Sequence, residues 1–403
     1  MAIKAGQFLH DINGFVIDRI QTGGVSNLNI PEEKIYELGN FNTVATVRDI
    51  PDLSFDLESF DVSTEVESLL LGQDPTAAID GDEFDLTSSI PLDVVSPFKS
   101  AQGAFDIVKG IAVPYLTLES ATYRFGVRQN STQQFSLRGD SVYYIPGTPM
   151  WEEFTLVDNT LTYSFAETAK AYTESGDTLY ALSACVKNPT TGVYKRLFFG
   201  QDYTNTSGGI TTLVEWFDSG YTKLHVVYGT DTAGSYPQTV HQGVSVKPAA
   251  VRGKDIDVYI GNTAATPTFT RWNGVQSFEV NRRVNLDNDE EFGNNHYVAQ
   301  DYDTADVTGS ITLKPLDPDD LWDKIATIAN VSTTEIAGPL TSVGLPVELR
   351  VSDPDSGARL KTFYVPDARF TLPSTQGRVQ TKQTVQFNFT SDGGTLLIYK
   401  GAR

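Results

Sequence analysis

The feature that most constrains this chain is that its two ends repeat one another. Asp52–Asp61, followed by the segment Val62–Leu70, lies opposite Thr308–Asp317 and the helical pattern after it. Upstream, Glu37-Leu-Gly-Asn40 lies opposite Glu291-Phe-Gly-Asn294. Downstream, Ile90-Pro-Leu-Asp93 matches Leu345-Pro-Val-Glu348, Val113-Pro114 matches Val365-Pro366, Leu116-Thr-Leu-Glu-Ser120 matches Phe370-Thr-Leu-Pro-Ser374, and Gln134-Phe-Ser-Leu137 matches Gln386-Phe-Asn-Phe389. The shift stays between 252 and 256 residues. Short apolar alternations recur by chance, but a kept order at a nearly constant shift marks a duplication. The chain therefore reads as two copies of one module, residues 1–147 and 251–403, around a segment 148–250 that has no counterpart.

The module is β-rich. Leu53-Ser-Phe-Asp-Leu57, Val385-Gln-Phe-Asn-Phe389 and Lys223-Leu-His-Val-Val-Tyr228 alternate or cluster apolar residues between Gly, Pro, Asn and Asp. The clearest helix is predicted over Asp317–Asn330, with Asp317 as N-cap, Pro318 at its first position and Leu321, Ile325 and Ile328 as an apolar stripe. Segment 148–250 carries four strand-like runs separated by turn signals and reads as a small β-sandwich.

Composition excludes several classes. Fifty-one acids against 30 bases give a net charge of −21 over 403 residues. Tight nucleic-acid binding needs the opposite surplus, because Lys and Arg are what displace counterions from phosphates. A single cysteine, Cys185, excludes a disulfide framework and a Cys-based zinc cluster, and the four histidines are scattered singly, as surface or turn residues. The start Met1–His10 lacks a signal-peptide apolar segment, and no run approaches the length of a membrane span, so the expectation is a product made soluble in the cytoplasm without membrane insertion. No Walker loop, nucleophile elbow or His-Glu-x-x-His helix is present, so no enzyme activity and no cofactor or metal are expected. The acidic runs Asp80–Asp85 and Asn285–Glu291 lack the ligand order of an EF-hand and read as solvated loops.

The order strand, polar loop with Glu-(Leu/Phe)-Gly-Asn, alternating strand, short helix and Pro-containing strands ending in Gln-Phe-x-(Leu/Phe) resembles the tail-tube, or major tail, proteins of long-tailed bacteriophages. The phrase Arg271–Arg283 also resembles the opening hairpin of such a subunit. The resemblance covers about three quarters of the chain. It implies two similar tail-tube β-sandwich or barrel modules, each with one short helix, plus the intervening sandwich as an outward decoration. It further implies homotrimeric, pseudo-hexameric rings stacked into a hollow tube in the virion tail, assembled in the host cytoplasm and conducting the genome without binding it specifically. Tape-measure, tail tip or baseplate and tail terminator proteins are the implied partners.

Carried over by position, Asn29, Glu32, Glu33, Glu37 and Asn40, and in the second copy Asn285, Asp287, Asp289, Glu291 and Asn294, are candidate ring-stacking loops. Strand alternation puts Asp52, Ser54, Asp56 and Glu58 on one face, with Gln134 and Ser136, and Gln386 and Asn388, as the polar positions of the last strands. These eight are the candidate lumen face, the competing reading being polar strand faces turned to outside solvent. Acidic or neutral walls let a phosphate backbone slide. The first copy has 21 acids and 9 bases, the middle 10 and 6, and the second copy 20 and 15, so the first copy dominates the negative field. The alternative function is a carbohydrate-binding or adhesive virion protein with exposed aromatic platforms such as Trp151 or Trp216.

Overall fold

A computed structural model of the protein describes residues 10–17, 20–36, 43–60, 62–99, 107–145, 147–174, 177–188, 193–230, 251–262, 264, 266–291, 296–314, 323–324, 344–371 and 384–403. The alternating runs make strands. The first repeat contains β1 (His10–Ile12), β2 (Phe15–Ile17), β3 (Ile20–Asn29), β4 (Glu32–Tyr36), β5 (Thr43–Arg48), β6 (Asp52–Ser59), β7 (Glu83–Asp85), β8 (Leu92–Lys99), β9 (Ile107–Gly126), β10 (Thr132–Gly139) and β11 (Tyr143–Ile145). The intervening segment supplies β12 (Thr148–Thr155), β13 (Thr162–Ser164), β14 (Tyr172–Glu174), β15 (Asp177–Leu179), β16 (Ala181–Lys187), β17 (Tyr194–Leu197), β18 (Tyr203–Thr206), β19 (Gly209–Thr212) and β20 (Lys223–Thr230). The second repeat contains β21 (Ile256–Gly261), β22 (Phe269–Arg271), β23 (Val275–Asp289), β24 (Ala299–Leu313), β25 (Leu345–Ser352), β26 (Arg359–Thr371), β27 (Val385–Ser391) and β28 (Leu397–Lys400).

The two repeats have the same wiring. In the first, β2–β1–β8–β9 are neighbours with β11 also on β9, and β3–β6–β10–β9 form the facing layer. In the second, β22–β21–β25–β26 are neighbours with β28 also on β26, and β23–β24–β27–β26 form the facing layer. All of these pairings are antiparallel. Leu57 faces Phe135 as Ile311 faces Phe387, and Leu118 faces Leu137 as Phe370 faces Phe389. These registers equate Leu57 with Ile311 and Leu118 with Phe370, two residues away from the matches read in the sequence. A strand shows the same face every second residue, so a slip of two leaves its apolar pattern intact.

The long strand β9 crosses between the layers at Pro114-Tyr115, where Tyr115 takes a left-handed φ of 55°. Its first part pairs with β8 and β11 and its last part with β10. One core fills both repeats. Phe55, Phe135 and Tyr123 from the first join Phe278, Phe363 and Phe389 from the second, and the Tyr123 and Phe363 rings lie 4.7 Å apart. The helix α1 (Glu65–Leu70) adds Val66, Leu69 and Leu70 to it. The buried Glu67 on α1 meets Lys361 of the second repeat and accepts a 2.7 Å hydrogen bond from Tyr123 Oη. Of the second helix expected over Asp317–Asn330, only Asp323 and Lys324 are among the described residues, and both are helical.

The intervening segment is a small β-sandwich. Its four-stranded sheet β12–β20–β16–β17 and three-stranded sheet β13–β19–β18 enclose a core in which Phe165 stacks on Tyr228 at 4.5 Å. The other face of the four-stranded sheet, with Leu182 and Val227, packs on Val95, Ala112 and Ile145 of the first repeat. Among the described residues no helix is long and apolar enough to cross a membrane.

Candidate functional surface

The two repeats are joined strand to strand. The last part of β9 pairs with β23, so that Thr122 faces Asn281 and Arg124 faces Glu279. This seam fuses the two layers into one antiparallel run, β3–β6–β10–β9–β23–β24–β27–β26. One row of neighbours crosses all eight strands: Thr22, Glu58, Gln134, Thr122, Asn281, Thr308, Thr390 and Arg369. Every member is polar. Alternation demands this, because the neighbouring row, with Leu57, Phe135, Ala121 and Val307, faces the core.

All eight residues expected on a common polar face lie on this surface. Asp52, Ser54, Asp56 and Glu58 are half-buried between the buried Leu53, Phe55 and Leu57, and Gln134 and Ser136 alternate in the same way around Phe135. Gln386 and Asn388 are exposed and hydrogen-bond each other at 2.9 Å. Three cations of this face have acidic partners. Arg138 makes two 2.7 Å bonds to the Asp52 carboxylate, Arg124 lies 3.2 Å from Glu279 across the seam, and Arg369 pairs with Asp392. Ser136 donates to Asp56 at 2.6 Å, and Thr122 to Asn281 at 2.9 Å. The face thus offers hydroxyls, amides and compensated charges, a weak ligand for a phosphate backbone.

Several residues expected in stacking loops lie in strands instead. Asn29 ends β3, and Glu32 and Glu33 lie in β4, which pairs with β5 as a separate hairpin. Asn285, Asp287 and Asp289 lie in β23, paired with β24 out to Asp289 opposite Ala299. Glu291 follows the strand and is exposed, whereas Glu37, Asn40 and Asn294 lie outside the described residues. These segments are two-stranded arms. In the β23–β24 arm Asn285, Asp287, Asp289, Asp301 and Asp303 are exposed, whereas Val284 and Gln300 on the other side are buried. The arms break at matching places. Pro31 and Pro51, which have no N–H to give to a ladder, separate β4–β5 from β3–β6, and a register shift interrupts β23–β24 at Asn285/Leu286.

A second cluster went unread in the sequence because its members are far apart along the chain. Asp140, buried at the end of β10, accepts a 2.6 Å bond from Arg196 of the sandwich and a 2.8 Å bond from the backbone N–H of Tyr297 in the second repeat, and His296 lies 3.4 Å away. Burial opposes its charge, but Arg196 and His296 outweigh burial and hold the carboxyl well below its ordinary range. One carboxylate thereby ties all three parts of the chain together. Arg138, two residues before Asp140, pairs instead with Asp52. The histidines also differ from expectation, since His10 and His225 are buried at 5% and 4% exposure. His10 sits beneath Gly23 of β3, bonded to Ser96 Oγ at 2.8 Å, and His241 lies outside the described residues.

Neither a family model nor a curated protein matches this chain. Of the aromatic platforms named for an adhesive role, Trp216 is a core residue of the sandwich and Trp151 is half-buried against His225, with ring centroids 5.0 Å apart.

Proposed function

We propose that the protein is a structural virion component whose trimers form pseudo-hexameric rings that stack into the hollow tail tube of a bacteriophage. One observation carries this reading, the difference between two equivalent strands. The registers place Val25 and Leu28 of β3 where Val280 and Arg282 stand in β23. In β23 those positions are 0% and 1% exposed, because β9 of the first repeat lies alongside. In β3 they are 37% and 47% exposed, and among the described residues β3 pairs only with β6. An apolar edge strand left open is a template for another strand. The second repeat of a neighbouring chain, docked on β3 as β9 docks on β23, covers it, and head-to-tail repetition of that contact closes a ring.

Strand spacing supports a count of three. Each chain brings eight strands, and 24 strands at about 4.8 Å span a circle about 37 Å across even when upright, or about 27 Å between side chains. That is wider than a DNA duplex. Two chains give a barrel of porin size, with room for water but not for a duplex. The polar face then lines the channel, Asp52, Asp56 and Glu58 with Gln134, Ser136, Gln386 and Asn388 among its walls, and DNA passes without being held. The two arms reach towards the next ring, the sandwich faces outward, and tape-measure, tip and terminator proteins meet the ends of the tube in the virion. Negative-stain microscopy of concentrated protein tests the reading. Hollow cylinders are expected, and separate globules after prolonged concentration refute it.

A further inference from the structure

We propose that Asp93, Cys185 and His225 form a divalent-metal site of the zinc type, which pins the intervening sandwich to the first repeat. The three residues lie 92 and 40 positions apart in sequence, on β8, β16 and β20, yet each offers a ligand atom within 4.8 Å of the other two. All three are buried, at 4%, 3% and 4% exposure. Cys185 and His225 face each other directly across β16 and β20, and Asp93 comes from the opposing layer. The proposal does not depend on the tube reading.

The surroundings are those of a prepared ligand set. His225 Nε2 lies 3.0 Å from the Glu153 carboxylate, the outer partner that orients a metal-bound imidazole and leaves its second nitrogen free to coordinate. That second nitrogen, Nδ1, is buried and has no hydrogen-bond partner. Trp151 and Tyr194 fix the ring from two sides, with centroids 5.0 and 5.6 Å away. One Asp93 oxygen accepts the Tyr115 N–H at 3.0 Å. Aspartate with thiolate supplies two negative charges, which neutralise a bound dication.

A tetrahedral ion with ordinary bond lengths holds its ligands about 3.5 Å apart, so the three atoms close by about 1 Å, the scale of a side-chain torsion. A mixed sulfur, nitrogen and oxygen set suits zinc or cobalt rather than calcium or magnesium. His225, alone of the three, also lines a cavity of about 260 Å³ together with Glu153, Trp151, Asn13 and Phe15.

Cobalt titration of chelator-stripped, folded protein tests this. One Co²⁺ per chain is expected, with a sulfur-to-cobalt charge-transfer band that equimolar Zn²⁺ abolishes. Cys185→Ser removes the band, and Glu153→Gln, which alters only the outer partner, weakens binding about 10- to 100-fold. The inference is overturned if the wild-type protein takes up no metal even when refolded with it. It is equally overturned if the same stoichiometry and band persist in Cys185→Ser.

Discussion

Leu28→Asp combined with Val25→Asp isolates the open edge of the first repeat from everything else in the molecule. In the single chain Leu28 and Val25 keep 47% and 37% of their surface in water, so covering the remainder is worth about 40% of full burial. Full burial of such side chains is worth about 1.5–3 kcal/mol, which gives about 2 kcal/mol per docked edge for the pair. Placing carboxylates there removes that gain and adds the cost of desolvating two charges, at least another ~3 kcal/mol. A total of about 5 kcal/mol weakens each contact between chains by more than about a thousandfold. Sedimentation velocity and negative-stain microscopy read the outcome as loss of rings and tubes, while circular dichroism and thermal unfolding stay near wild type because both positions are already exposed. Leu161→Asp, at a 40% exposed position of the sandwich, is the control for added charge. Tubes as abundant as wild type from the double variant, or their equal loss in the control, refute the reasoning.

Two other consequences concern stability. Asp140→Ala leaves Arg196 buried without its carboxylate and is expected to cost about 3–5 kcal/mol, seen as a lower denaturant midpoint; an unchanged midpoint contradicts the keystone role. His10 has its pKa lowered from 6.5 to about 4 by burial, so between those values the unfolded chain binds a proton that the folded chain refuses. Stability is then complete above pH 6.5 and falls as pH drops towards 4, by up to about 3 kcal/mol. Urea titrations of His10→Asn across that window should lack this component, and a parallel pH profile in the variant excludes it.

What the sequence made legible was whatever repeats on a short period. The faces of β6, β10 and β27 followed from Leu53-Ser-Phe-Asp-Leu57 and its counterparts, because apolar residues two apart must share a buried side. Register was less legible, for the same periodicity makes Leu116 and Leu118 equally good partners for Phe370. The arms were read as loops because their sequences are rich in Asn, Asp and Glu, and nothing local records that two such segments pair. Asp140, the Glu67–Lys361 pair and the Asp93, Cys185 and His225 group were invisible, since each joins strands separated by tens to hundreds of residues and no local pattern records such a meeting.

The seam between β9 and β23 has a kinetic meaning as well. Because both of its strands belong to one polypeptide, they find each other at the fixed local concentration of a tether, whatever the dilution of the protein. In the proposed ring, docking of the open β3 edge would have no such tether and would scale with the number of molecules present. A chain of that design would be born with every second joint already made, and only the remaining joints would wait on encounter.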